Sequence, residues 1–258
     1  MDRFPEVPTG KEEDNVYGRN AVLSALGSAP QLCSRVMISE RLKGMERDKM
    51  IDLCRGSGIP WQIVKPSLLD RLCPGGRHQG VAVKMMPVGV VDIGSLPTQV
   101  TNHGGHSLLI LLDHIQDPQN LGAIARSAEV FGADAIVIPK RRSALPTSTV
   151  MKTSAGAIAR VPVAGVVNVA RALKDLKEMG YWAVGLHHGA DEELGNRDLP
   201  GRTVLVVGGE GSGLSRLAAA SCDFLLRIPM KGSTGSLNAA SAAAIGMYEW
   251  RRIIDKAS

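Results

Sequence analysis

Hydrophobic and polar positions follow two different periods along this chain. At residues 17–26 the apolar side chains Ala21, Val22, Ala25 and Leu26 repeat at helical spacing, which predicts a helix. Residues 35–39 predict a short strand, 45–55 a helix with Met50, Ile51 and Cys54 on one side, and 61–64 a second strand. Pro66 opens a short helix over 66–72, where its missing N–H is no loss, and 81–86 reads as a closing strand. Residues 15–87 therefore read as a small α/β unit.

The periodicity then lapses. Residues 87–106 contain Pro87, Gly89, Gly94, Pro97, Gly104 and Gly105 among polar neighbours, and 88–106 read as a linker. From 107 the pattern restarts with Ser-Leu-Leu-Ile-Leu-Leu, a continuous apolar run of the kind that a strand shows when both sheet faces are covered. Further runs at 135–138, 182–186, 203–207 and 224–228 alternate with helical patterns at 121–131, 169–178, 214–220 and 239–253. Repeated strand–helix alternation predicts a doubly wound parallel α/β domain over 107–258, with its ligand outside the carboxyl ends of the strands. Attention falls on the loops after Leu112, Val207 and Ile228.

Length and composition narrow the class. The 258 residues, 44% hydrophobic and 21% charged, suit one large or two modest globular domains. The longest aliphatic run, 108–112, is far short of the roughly 18–20 residues a membrane span needs. Residues 1–14 carry Pro5, Pro8 and five acids without an apolar stretch, and read as a frayed tail of a cytoplasmic protein. Cys33, Cys54, Cys73 and Cys222 form no CxxC pair, so packed, reduced thiols are expected and no metal site. His103 and His106 alone among the histidines have ligand-like spacing, and they lack acidic or thiol partners. Residues 15–87 hold eleven Lys or Arg against five Asp or Glu, whereas 88–258 are nearly balanced at seventeen against fifteen. A basic front on a near-neutral body suits a polyanionic partner gripped by the front, or simply a solvated basic face.

The three loops carry the candidate chemistry. In Asp113-His-Ile-Gln-Asp-Pro-Gln-Asn120, Asp117-Pro118 favours a turn and Asn120 is a natural N-cap. Arg126, in an otherwise apolar helix, either snorkels to solvent or faces an anion. Gly208-Gly-Glu-Gly-Ser-Gly213 lets a ligand touch backbone, yet it matches neither GxGxxG nor a P-loop, and Glu210 sits where a phosphate would meet the following helix. The loop from Ile228 to Asn238 mixes Gly, hydroxyls and an amide, and leads into the small residues 239–244.

Together, Leu112-Asp-His-Ile-Gln-Asp-Pro-Gln-Asn-Leu-Gly-Ala-Ile-Ala-Arg-Ser-Ala128, Val207-Gly-Gly-Glu-Gly-Ser-Gly-Leu-Ser215, and Ile228-Pro-Met-Lys-Gly with Ser236-Leu-Asn238 resemble the three motifs of the SpoU (TrmH) family of RNA ribose 2′-O-methyltransferases. Tyr17-Gly-Arg-Asn-Ala-Val and His78-Gln-Gly-Val81 resemble the L30e-like RNA-binding domain of its RlmB-like branch, which acts on a guanosine of 23S rRNA. The resemblance implies a SPOUT-type α/β fold with a C-terminal trefoil knot, S-adenosyl-L-methionine (AdoMet) as cofactor, and a homodimer with the active site at its interface. It implies Asn120, Arg126, Glu210, Ser236 and Asn238 as active-site residues, and Gly208, Ile228 and Leu237, with Gly209 and Met230 beside them, as cofactor contacts. The chain departs from the family at Ala239 and Ala240, where the family carries Val-Ser.

The reaction so implied is in-line displacement by the ribose 2′-oxygen on a sulfonium methyl group, with no metal needed because the leaving group is already activated. Arg126 suits a cation that binds the adjacent phosphate and steadies the developing alkoxide better than a base, since a guanidinium stays protonated at neutral pH, and the proton goes to phosphate, Glu210 or water. Within the family, a tRNA or another rRNA site is the alternative substrate, and two other classes compete: an inactive RNA-binding or ribosome-assembly protein on the same fold, and a nucleotide-dependent oxidoreductase, which the missing dinucleotide fingerprint disfavours. Only 3% of residues are aromatic, so recognition of folded RNA is expected over stacking on a long single strand.

Overall fold

The computed structural model describes residues 14–96, 105–211, 213–232 and 235–257, in two compact units. The first holds the described residues up to Gly89 together with Pro146–Arg160, and the second holds Val90–Leu145 and the described residues from Val161 onward.

In the first unit the chain runs β1 (Asp14–Tyr17), α1 (Arg19–Ser28), β2 (Cys33–Ser39), α2 (Met45–Gly56), β3 (Trp61–Val64), α3 (Pro66–Leu72) and β4 (Val81–Met85). The sheet order is β1-β4-β2-β3, parallel only between β2 and β3. Met37, Val64 and Ala82 cluster with Leu69 and Cys73 of the α3 region. Their strand neighbours Val36, Ile38 and Val83 point the opposite way and are also buried, so both faces are covered. That double cover is why the middle of β2 reads Val-Met-Ile without polar alternation.

Residues 146–160, expected with the second half of the chain, pack into this first unit. Their helix α5 (Ser148–Thr153) lies by β1, Lys152 Nζ stands 5.1 Å from the Tyr17 ring centroid, and Ala155 O accepts a hydrogen bond from Ser24 Oγ at 3.0 Å. A β-carbon on Gly156 would fall 2.1 Å from Ser28 Oγ.

The second unit continues with β5 (Val90–Asp92), β6 (Ser107–Asp113), α4 (Pro118–Val130), β7 (Ala135–Pro139), β8 (Val163–Val166), α6 (Val169–Glu178), β9 (Trp182–Leu186), β10 (Glu192–Glu193), β11 (Arg202–Gly208), α7 (Arg216–Ser221), β12 (Phe224–Arg227) and α8 (Ala239–Ala257). Its eight strands pair in parallel in the order β10-β12-β9-β11-β6-β7-β8-β5. Every residue of β6 is buried, as its continuous apolar run requires. The segment read as a linker is in part sheet, since Val90–Asp92 pairs with Val163–Gly165. Residues 97–104 of that segment, with His103, and 1–13 of the expected tail lie outside the described residues, and Asp14 already belongs to β1.

Among the described residues no helix is long and apolar enough to cross a membrane, and no group of three or more His, Cys, Asp or Glu is placed to hold a metal ion. All four cysteines are free thiols. Burial pushes the Cys222 thiol up to about 12, helped by Asp223, and the Cys33 thiol up to about 11. A thiol held protonated in the fold supports stability below the ordinary thiol pKa and loses that support as pH climbs towards these raised values. At pH 8 a thiol reagent is therefore expected to reach the buried Cys33, Cys54 and Cys73 only once denaturant is added, and fast reaction of Cys33 in the native protein would refute its burial.

Candidate active site

The strands β6 and β11 lie side by side where the chain path reverses, with β7 and β8 outward from β6 on one side and β9 beside β11 on the other. Such a switch point opens a crevice at the carboxyl ends of the strands. Register pairs Asp113 with Gly208, so the first two motif loops leave the sheet together.

Asp113 organises this corner. It is fully buried, its Oδ2 accepts the Ser215 N–H at 2.7 Å, and its Oδ1 lies 2.6 Å from His114 Nδ1. The Ser215 side chain in turn caps α7 through the Ala218 N–H. Sequence reasoning passed over Asp113, although an acid ending a wholly buried apolar strand signals a carboxylate that needs partners.

Asn120 is not the N-cap. Asp117 caps α4, with its carboxylate accepting the Gln119 N–H, and the helix starts at Pro118. Asn120 thus sits in the first turn, buried, with its amide released for long-range bonds. Its Nδ2 donates to Glu210 Oε1 at 2.8 Å, and its Oδ1 accepts from Asn238 Nδ2 at 2.9 Å. Asn238 Nδ2 also donates to Glu210 Oε1 at 2.7 Å, closing a three-residue cluster across three loops. Asn238 Oδ1 meanwhile accepts the Ala240 and Ser241 N–H groups at the start of α8, so one side chain both caps the last helix and ties it to the other two loops. Backbone–amide capping of this kind leaves nothing for a hydroxyl at 240 to do in holding that turn. Glu210, expected at a helix N-terminus, lies well ahead of α7 and faces the two asparagines instead.

Glycine is required where the loops touch. A β-carbon on Gly208 would stand 2.1 Å from the Gly213 carbonyl carbon and 2.3 Å from Leu214 N, and one on Gly209 would stand 2.8 Å from His114 O. Gly213 N–H bonds to Gly209 O at 3.0 Å, folding the second loop back on itself.

Two clefts meet at the cluster. The first, about 250 Å³, is lined by the expected residues Gly208, Gly209, Glu210, Ile228, Met230, Ser236 and Leu237. His187 and His188, which sequence reasoning did not single out, also line it, their rings stacked with centroids 4.9 Å apart. The second, about 500 Å³, is polar and lined by His114, Gln116, Asp117, Asn120, Arg142 and Glu210, with Gly209 shared between the two. Ser233 and Thr234 of the third loop lie outside the described residues. Arg126 lines neither cleft. It is exposed on α4 and has no hydrogen bond or ion pair among the described residues.

Comparison with known proteins agrees with this architecture. Residues 107–248 match the SpoU rRNA Methylase family, and residues 15–88 match the model described as RNA 2′-O ribose methyltransferase substrate binding. The Bacillus subtilis (strain 168) protein YacO, whose name places it with TrmH family tRNA/rRNA methyltransferases, is 40% identical over 239 residues, 93% of this chain and 95% of that protein. The 23S rRNA (guanosine-2′-O-)-methyltransferase RlmB of Xylella fastidiosa (strain 9a5c) is 39% identical over 242 residues, 93% of this chain and 96% of that protein. The crystal structure of the SpoU methyltransferase AviRb from Streptomyces viridochromogenes, in complex with AdoMet, shares the fold with a TM-score of 0.74 at 24% identity, covering 94% of this chain and 90% of that one. With both halves matched in order and close relatives spanning nearly the whole length, the chain belongs to the SpoU rRNA methylase family.

Proposed function

We propose that this chain methylates the ribose 2′-hydroxyl of a guanosine in 23S rRNA, with AdoMet as methyl donor and a second copy of itself as partner. The observation that carries the reading is the meeting of two chemically different clefts at Asn120, Glu210 and Asn238. The first cleft is lined by glycine backbone and by Leu186, Val207, Ile228, Leu237 and Ala239, without Lys or Arg among its lining residues and with Glu210 at its edge. That lining suits an apolar, cationic nucleoside and disfavours a phosphate, which fits AdoMet. When bound there, AdoMet supplies a methyl group already activated by a positively charged sulfur.

The chain's own residues do the rest. Gly208 and Gly209 expose backbone to the cofactor, and Ile228, Met230 and Leu237 exclude water from it. The Asn120 and Asn238 amides hold Glu210 by one oxygen, Oε1, and leave the other, Oε2, for the incoming ribose. With AdoMet bound, Glu210 Oε2 would accept the proton that the 2′-hydroxyl loses as the methyl–sulfur bond breaks and S-adenosylhomocysteine leaves, and Ser236 would orient the third motif loop. Arg126 steadies the negative charge that grows on the oxygen.

Arg126 enters the site from the second copy. Its helix α4 packs along α8, and the two present exposed Ala123, Arg126 and Val130 beside exposed Ile245 and Tyr248. Such an apolar face around one arginine suits a self-complementary dimer contact. The reading also carries the trefoil knot, supported by the tight seating of Gly208 on Gly213 and Leu214 and of Gly246 against Leu205. An rRNA substrate goes with a cytoplasmic location. The first unit serves as the RNA grip over residues 15–87, with Arg35, Arg41, Lys43, Lys49, Arg55, Lys65, Arg71 and Arg77 all exposed.

Incubation with labelled AdoMet and unmodified 23S rRNA, 16S rRNA and tRNA transcripts, followed by nuclease mapping, tests the reading. Label is expected on one guanosine ribose of 23S rRNA. Label on tRNA alone would replace the substrate, and no AdoMet binding would return the chain to the class of inactive RNA-binding proteins.

A further inference from the structure

The second cleft contains a cation that the proposed mechanism does not use. Arg142 lies in the turn after β7, exposed, with no hydrogen bond or ion pair among the described residues. The turn is anchored to the first motif loop, because Ala144 N–H bonds to Ile115 O at 2.8 Å. The acids around it are engaged elsewhere: Asp117 caps α4, Glu210 Oε1 takes two amide hydrogens, and Asp113 behind the wall holds Ser215 and His114. Asp117 also accepts the Gln119 N–H at the start of α4, which puts a carboxylate rather than an open donor at that point.

Backbone strain points to the same place. Only four non-glycine residues among those described have positive φ, and two of them, His114 at 62° and Arg142 at 55°, line this one cleft. Left-handed backbone at an arginine is strained relative to glycine, and such strain gathers where a side chain must be aimed. Here it aims an unpaired guanidinium into a polar space that ends at Glu210 and Asn120.

We propose that Arg142 is a substrate-binding residue, holding an RNA backbone phosphate next to the ribose that enters the second cleft. The inference rests on the methyltransferase reading above and adds to it the group that seats the substrate strand. A guanidinium matches phosphate geometry with paired N–H donors, and a phosphate one bond from the ribose fixes the 2′-oxygen without reading the base. His114, tied to Asp113, also lines the cleft.

The test uses the full chain with an unmodified 23S rRNA transcript, measuring RNA affinity by filter binding between about 50 and 200 mM salt, and AdoMet affinity by calorimetry. Arg142→Gly suits the left-handed backbone, so it removes the charge without unfolding the turn. This variant is expected to keep the wild-type AdoMet Kd and a Tm at least as high, while RNA affinity falls about tenfold at low salt and the slope of log K against log salt drops by about one. Arg142→Lys is expected to recover the slope but only part of the affinity, since it keeps the charge and loses the fork. An unchanged RNA affinity and salt slope in Arg142→Gly, with methyl transfer intact, would overturn the assignment and leave the methyltransferase reading standing. Failure of the wild-type chain to bind the transcript would overturn both.

Discussion

Replacing Gly208 by alanine is expected to abolish AdoMet binding and to destabilise the second unit by about 3 kcal/mol or more, the upper range for forcing atoms into a packed site. The added β-carbon would fall 2.1 Å from one backbone carbon and 2.3 Å from a backbone nitrogen. No rotamer change relieves a clash with main chain. The Gly213–Leu214 segment cannot retreat freely either, because Gly213 is bonded to Gly209 and Ser215 is held by buried Asp113. The loop must therefore shift at the floor of the proposed cofactor cleft. Gly211→Ala is the control, since its β-carbon would meet nothing within 4 Å and its cost is confined to a φ of +78°, worth about 1 kcal/mol. Urea unfolding and calorimetry with AdoMet separate the two. A Gly208→Ala protein with wild-type midpoint and AdoMet affinity would show that the close approach is not required.

Arg126→Ala is expected to lower kcat by about 10²–10³, the usual consequence of removing one preorganised donor from a developing oxyanion, with AdoMet affinity unchanged. Within one chain Arg126 is exposed and lacks partners among the described residues, so its loss leaves the fold of each copy intact. The shared-site proposal adds a sharper expectation. Arg126→Ala and Glu210→Gln, each inactive alone, should recover about a quarter of wild-type activity when co-refolded, because random pairing gives half mixed dimers with one intact site each. Mixed dimers that remain inactive would assign Arg126 to the cleft of its own chain.

Much of the fold was legible in the amino-acid pattern because it rests on local periodicity. The strands 61–64 and 182–186 and the helices 66–72 and 169–178 coincide with β3, β9, α3 and α6 to the residue. For α6 the reason is visible: Asn168 caps its start, and Ala172, Leu173 and Leu176 form one buried stripe. The elements overlooked were short or lay in segments dominated by turn residues. β8 reads Val-Ala-Gly-Val, and β5 is three residues inside a Gly- and Pro-rich stretch that becomes a strand only by pairing with β8. The placement of 146–160 in the first unit likewise depends on partners that are distant in sequence, such as Ser24 and Tyr17.

The same division runs through the site. Which loops leave the carboxyl ends of buried parallel strands is legible in the amino-acid pattern alone, as is the lack of phosphate-binding character in the glycine-rich loop that carries Glu210. Burial and period are properties of consecutive residues, so they survive without knowledge of the fold. Which polar atoms meet depends on packing between distant segments. Asn120 was free to act as a cap until Asp117 took that place, and its actual partners lie 90 and 118 positions away. Asp113 and Arg142 acquired meaning in the same way, one by being buried against Ser215 and the other by being left unpaired in a polar cleft. Hydrogen bonds are short and directional, so their pairing is settled by how loops approach across the sheet, a geometry that no local pattern encodes.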